Sequence, residues 1–149
     1  QDLRVQGIYS HFTIEVRESM ALSALRARTY AENGKEKFDV QTFSDCLLHL
    51  SDLYAKYPKE PRAMEFSVYK FIFWDAVARE RPDDTSHSIA AAESLMAWKD
   101  TPAVRHAIRI QAAASIGDYY SYFRELSSIP EETSAQVHLH RTMVAPAVR

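Results

Sequence analysis

The chain has 149 residues, 46% hydrophobic and 26% charged, with a formal net charge of −2. That length and composition suit one soluble globular domain with its own core. The near-neutral charge argues against the whole chain being an electrostatic nucleic-acid binder. Only 3 glycines occur, where average usage would give roughly ten; so few positive-φ positions disfavour all-β and Rossmann-like folds. The single cysteine, Cys46, can form neither an internal disulfide nor a thiolate zinc site, which fits a reducing compartment. No apolar run approaches the ~18 residues of a membrane span. The opening glutamine and the lack of a signal peptide lead us to expect a piece of a longer chain.

Gln1 to Ser10 carry no clear period and read as an irregular lead-in with a turn at Gly7. From Thr13 small and apolar residues recur at helical spacing, Val16, Met20, Ala24, Ala27 and Ala31, which predicts a first helix from Thr13 to about Glu32. Ser10 or Thr13 is its expected N-cap and Asn33-Gly34 its left-handed stop. Gly34 to Lys37 reads as a polar loop.

A second helix is predicted from about Asp39 to Tyr57. Phe43, Cys46, Leu47, Leu50, Leu53, Tyr54 and Tyr57 form its amphipathic stripe, with Asp39 as cap and Pro58 as stop. Pro61 suits a first helical turn, and a third helix follows to about Arg79. Met64, Phe66, Val68, Tyr69, Phe71, Ile72, Phe73, Trp74, Ala76 and Val77 leave it little polar face, as expected of a central helix packed on several sides. A shorter helix spans roughly Ser86 to Trp98, capped by Asp84 or Thr85, with Ile89, Ala92, Leu95 and Met96 as its apolar side.

Thr101-Pro102 restarts the chain as N-cap and first-turn proline. The fifth helix, Ala103 to about Ile116, carries Ala107, Ile110 and Ala114 as a small-residue stripe. Gly117-Asp118 breaks it and Tyr119 to Leu126 begins another helix. The run A-A-x-x-G-D-Y-x-x-Y-F reads as the turn of an αα-hairpin, with small residues for close helix approach and aromatics filling the gap beyond. The same grammar occurs in tetratricopeptide repeats. Ser127 to Glu132 is a further restart. A last helix runs from about Glu131 to Val144, with Val137, Leu139, Met143 and Val144 apolar and Pro146 closing it. About seven helices with short loops make an all-α fold, a tetratricopeptide-like αα-hairpin stack, read as one helical-repeat domain over residues 1–149.

Little in this pattern carries chemistry. His138 and His140 sit about 200° apart on a helix, whereas a helical metal pair needs i, i+4 spacing. Cys46 lies on the buried stripe, where a nucleophile would need exposure and a basic neighbour. The carboxylates Glu15, Glu65, Asp75, Glu93 and Asp118 are scattered singly, and neither a phosphate loop nor a G-x-S-x-G motif occurs. No catalytic residue, metal ligand or cofactor is therefore expected. Phe66, Tyr69, Phe73 and Trp74 read as core. Two surface expectations remain. Lys99, Arg105 and Arg109, beside His106, form a candidate phosphate-contacting patch. Tyr119, Tyr120, Tyr122 and Phe123 place four aromatics in five positions, too many to face one core, and form a candidate partner interface.

Three stretches resemble the GANP family, the PCI-type scaffolds of mRNA export. The QDL-x-VQ-x-I lead-in and following F-T-x-E/Q-V helix match at Gln1, Asp2, Leu3, Val5, Gln6, Ile8, Phe12, Thr13, Val16, Ala21 and Leu25. A cysteine followed by L-x-x-LY matches at Cys46, Leu50, Leu53 and Tyr54, and E-F-x-x-Y at Glu65, Phe66 and Tyr69. The stretch AVR…GDYYSYFREL resembles the family's helix-turn-helix before its terminal module. Arg17 departs from the tyrosine many relatives carry, and QDLRVQGI is most similar to the leukocyte-receptor-cluster and Thp-type branch. The resemblance implies a nuclear, non-catalytic scaffold linking transcription and RNA processing to mRNA export. It also implies a second PCI subunit and a small acidic Sem-type protein as partners. RNA contact would run through a winged helix that the family carries and this chain lacks, and no membrane is involved. A PCI subunit of the proteasome lid, the signalosome or an initiation-factor scaffold would lack the QDL-x-VQ lead-in. A tetratricopeptide-like peptide-binding adaptor would expose polar side chains along its groove. A solenoid cut at its end leaves core surface in water, so the isolated 149 residues are expected not to be stable alone.

Overall fold

The computed structural model describes residues 3–26, 29–30, 36–37, 39–83, 85–130 and 134–144. Among them are seven α-helices: α1 (Leu3–Arg26), α2 (Val40–Lys56), α3 (Ala63–Glu80), α4 (Ser86–Ser94), α5 (Pro102–Ser115), α6 (Tyr119–Ser127) and α7 (Ser134–Val144). A 3₁₀ turn, Leu95–Trp98, extends α4. The all-helical expectation holds, with one small addition. Thr29–Tyr30 (β1) pairs antiparallel with Glu36–Lys37 (β2), Thr29 opposite Lys37 and Tyr30 opposite Glu36. The chain forms two compact units, residues 1–66 and 67–149.

In the first unit α1 and α2 pack as a hairpin. α1 departs from the expected course at both ends. Helix replaces the irregular lead-in from Leu3 onward, so Ser10 and Thr13 lie inside the helix and cap nothing. It stops at Arg26; the expected Asn33-Gly34 stop lies outside the described residues. The buried face also differs from the Val16–Met20 stripe. Ile14, Ala21, Ala24 and Leu25 are buried, with Glu18 among them, while Val16 and Met20 are 40% and 39% exposed. Both faces carry apolar residues at helical spacing. Phe43, Cys46, Leu47 and Leu50 of α2 are buried, and packing against them selects which face of α1 turns in.

α2 follows its sequence closely. Asp39 caps it, its carboxylate accepting from the Thr42 amide at 3.1 Å, and the Asp39 amide donates to the Ala24 carbonyl of α1 at 3.2 Å. One polar pair is built into the hairpin. The Tyr54 hydroxyl donates to Glu18 Oε2 at 2.9 Å. Burial raises the Glu18 pKa, while the Tyr54 hydrogen bond and Arg62 pull it down; the Tyr54 hydroxyl is pushed up by its own burial and by the Glu18 charge. Pro61 falls in the turn before α3, whose first helical residue is Ala63.

In the second unit α3 behaves as the central helix its composition predicts: Val68, Tyr69, Ile72, Phe73 and Ala76 are all buried. Trp74 is half-buried and stacks on His87 of α4, ring centroids 4.4 Å apart. α4 buries Ala91 and Leu95 and turns Ile89 (56% exposed) and Met96 (63%) outward, so only Leu95 of its expected apolar side is inside. Thr85 and Thr101 stand at the N-cap positions of α4 and α5, but neither side chain makes a cap hydrogen bond; Asp84 lies outside the described residues. Gln111 of α5 is buried and donates to Asp75 Oδ2 of α3 at 2.8 Å, and Asp75 pairs with Arg79. α7 buries Leu139, Gln136 and His140; its expected start at Glu131 and the Pro146 stop lie outside the described residues.

Tyr54→Phe removes the hydroxyl and leaves the buried Glu18 carboxylate without that donor. It is expected to cost about 1–3 kcal/mol and to raise the Glu18 pKa further; urea unfolding and an NMR titration of Glu18 check the two effects. His140 gives a second prediction. Neither ring nitrogen has a hydrogen-bond partner, and burial, with Arg79 and His106 nearby, lowers its pKa to about 3. The folded pKa lies below the unfolded value near 6.5, so the unfolded state binds the extra proton. The stability His140 allows is complete above pH 6.5 and declines as pH falls from there toward 3. Between pH 7 and pH 5 its share of the loss is about 2 kcal/mol. Urea midpoints of the protein and its His140→Leu variant at both pH values should show the variant spared that amount.

Candidate interaction surfaces

The α5–α6 turn sets the first surface. Gly117 takes φ +74°, a conformation that costs glycine nothing, and Asp118 caps α6 by accepting from the Ser121 amide (3.1 Å) and hydroxyl (2.6 Å). These bonds hold the Asp118 carboxyl below its usual pKa. The turn fixes the rotation of α6 and so sorts its aromatics. Ile110 and Ala113 of α5 meet Tyr122 and Leu126 of α6 and Ile129 beyond it, with Tyr119 packed at the edge.

Tyr122 is therefore a core residue, contrary to its place in the expected interface. It is 1% exposed, its hydroxyl donates to the His140 carbonyl at 2.8 Å, and burial pushes its pKa up to about 12. The reason is the helical period: Tyr122 lies four residues before Leu126 on the inner face, while Tyr120 and Phe123 point elsewhere. Those two are 77% and 48% exposed. With Tyr119, Arg124 and Ser127 they line an open hollow of about 550 Å³. The Arg124 guanidinium sits 5.6 Å from the Tyr120 ring centroid, within cation–π range. The expected interface does not include Arg124, although its i+4 spacing from Tyr120 is visible in the sequence.

The basic positions do not form a bare cationic patch. Arg105 approaches Asp100 at 3.7 Å and Arg109 approaches Glu125 at 3.9 Å. Glu125 also meets His106 at 3.3 Å. Lys99 is exposed in the turn after the 3₁₀ segment. These are solvent-screened surface pairs, worth little each, but a phosphate approaching Arg105 or Arg109 meets a carboxylate already there.

The first unit carries a second apolar surface. Phe12, Val16 and Met20 recur every four residues on the outer side of α1 and are 61%, 40% and 39% exposed. They line an open groove of about 640 Å³ that reaches Asp39 and Thr42 of α2.

The Cys46 thiol is buried and its pKa is raised by that burial. Buried His140 and exposed His138 lie on different sides of α7, and no group of three or more His, Cys, Asp or Glu suited to a metal occurs among the described residues. No described helix is long and apolar enough to cross a membrane.

No family model matches the chain, and no solved structure does. Curated relatives do. The chain is 30% identical over 140 residues to SAC3 family protein A of Arabidopsis thaliana, covering 94% of this chain and 12% of that protein. It is 29% identical over 130 residues to a Leukocyte receptor cluster member 8 homolog of Xenopus laevis, covering 87% of this chain and 14% of the relative. It is 30% identical over 123 residues to a THP3 homolog of Schizosaccharomyces pombe, covering 83% and 27%. The chain thus spans between about an eighth and a quarter of the length of these relatives. The likeness to all three runs along nearly the whole helical chain, and the chain belongs to the SAC3/GANP/THP3-type family.

Proposed function

We propose that this chain is a non-catalytic helical scaffold segment in a nuclear complex that links transcription and RNA processing to mRNA export. The observation that carries the reading is the likeness to three SAC3-, leukocyte-receptor-cluster- and THP3-type proteins across 83% to 94% of this chain. The α6 surface supports it. Tyr120, Phe123 and Arg124 combine exposed rings with a guanidinium, the residue types that dominate protein interfaces. In this reading the α6 hollow contacts another protein, and the carboxylate-matched Arg105 and Arg109 contribute little to RNA affinity. The partners are a second PCI subunit and a small acidic Sem-type protein, with RNA contact through the winged helix that the family carries.

Affinity purification of the full-length protein from its own cells, with and without nuclease, tests this. A second PCI subunit and a small acidic protein should co-purify and survive nuclease. A Tyr120→Ser/Phe123→Ser variant should recover them about tenfold less well or worse at unchanged expression. Recovery of proteasome-lid, signalosome or initiation-factor subunits, or of a single linear-motif partner, would overturn the reading.

A further inference from the structure

A row of polar contacts ties α1 to the end of α2 and to the turn after it. Glu18 takes the Tyr54 hydroxyl, and nearer the N-terminus Ser10 Oγ lies 2.9 Å from the Tyr57 hydroxyl. Beside Ser10, His11 Nδ1 lies 2.9 and 3.1 Å from the two carboxylate oxygens of Glu60. Its other nitrogen, Nε2, lies 3.0 Å from Glu15 Oε1, one helical turn along α1. Glu60 stands in the turn that leads into α3. Its amide donates to the Tyr57 carbonyl at 3.3 Å, and its carbonyl accepts from the Ala63 amide at 3.1 Å.

This geometry decides the state of the ring. A neutral imidazole has one N–H and one lone pair, and only the imidazolium donates from both nitrogens. With a carboxylate on each side, a neutral ring turns a lone pair onto one of the oxygens. Glu60 and then Glu15 accordingly hold His11 protonated above its ordinary 6.5, with burial acting the other way. Glu15 comes from α1 itself and Glu60 from the facing turn. Of the cations on that side, Lys56 and Lys59 are exposed and Arg62 pairs with Glu65. The Glu60 side chain is only 15% exposed, against 61% for Glu15, so Glu15 can swing into water when the ring lets go and Glu60 has less room to do so.

We propose that His11 is a pH-operated latch, which as imidazolium ties α1 to the turn between α2 and α3 through Glu60 and Glu15 and loosens that turn when it loses a proton. The neutral ring keeps one N–H. One carboxylate then loses its donor, and the other keeps an uncharged bond roughly half as strong as before. Folded His11 holds its proton more tightly than the unfolded chain does, so the latch is whole below pH 6.5 and is lost as pH rises through the folded pKa. His140 acts in the opposite sense, its share falling toward acid. The change also reaches the buried pair: Glu60 already raises the Glu18 pKa, and does so more once its own counter-charge is gone. The latch lies within the α1–α2 unit and does not depend on the export reading.

Two exchange measurements on the full-length protein, both read by mass spectrometry, test this. Exchange of the imidazole C2 proton in the peptide carrying His11 should titrate with a midpoint above 6.5. Glu60→Gln should move that midpoint back toward 6.5, and Glu15→Gln should move it less. Backbone amide exchange over residues 57–66, corrected for the intrinsic effect of pH, should be about two- to fivefold faster at about pH 9 than at about pH 6. His11→Gln, at a half-exposed position, should fold normally and abolish that difference. A His11 midpoint at or below 6.5, a midpoint indifferent to Glu60→Gln, corrected amide exchange indifferent to pH, or an alkaline rise that persists in His11→Gln would overturn the proposal.

Discussion

A helix in a hairpin can bury one stripe against its partner, and the choice of stripe dictates what the opposite side shows to water. The two candidate interaction surfaces follow from that constraint. In α1 the inner stripe is Ile14, Ala21 and Leu25, which leaves Phe12, Val16 and Met20 outside. In α6 the inner pair is Tyr122 and Leu126, which leaves Tyr120 and Phe123 outside. Both helices carry more large apolar side chains than one hairpin interface can absorb, and the surplus is concentrated in rows. Scattered exposed apolar residues need no explanation, whereas rows of them mark contact surfaces.

The inner faces are not purely apolar, and their polar members act as locks on rotation. Glu18 is useful in α1 only when its carboxylate reaches the Tyr54 hydroxyl. Gln111 likewise is tolerable inside α5 only when its amide reaches Asp75 on α3. A helix turned by one residue would strand these groups, and a stranded buried polar group costs more than a hydrogen bond contributes. His140 differs from these two, buried with both ring nitrogens unpartnered, while of Gln111 only Oε1 lacks a partner. Its cost at neutral pH is tolerated because Leu139 beside it and the Tyr122 hydroxyl on its carbonyl fix α7 in place.

Helix existence was legible in the sequence because breakers and caps are local. Asp39, Pro102, Gly117 and Asp118 stand where the structure uses them. The α2 face was legible as well, since Phe43, Cys46, Leu47 and Leu50 leave only one apolar stripe. The faces of α1 and α4 were not. Each carries two apolar stripes of similar strength, and the decision between them belongs to tertiary packing, to which periodicity is blind. The same ambiguity hides the α1 groove, because Val16 and Met20 fit an inner face equally well by spacing. It also placed Tyr122 with its exposed neighbours, although the four-residue step to Leu126 was in plain view. Before Thr13 the reason differs: Gly7 signals a turn, yet the helix runs through it. The carboxylate that answers Arg109 is out of reach of the sequence, since Glu125 lies on the next helix, whereas Asp100, which answers Arg105, stands only five residues before it.

Side-chain oxidation footprinting of the full-length protein, alone and in the assembly purified from its cells, tests the central claim most directly: α6 turns one aromatic inward as core and offers the others to a partner. Tyr120 and Phe123 should be oxidised readily in the free protein and protected several-fold in the assembly. Tyr122 should react slowly in both. Equal oxidation of Tyr120 and Phe123 in the two states, or a Tyr122 as reactive as Tyr120 in the free protein, would contradict the account.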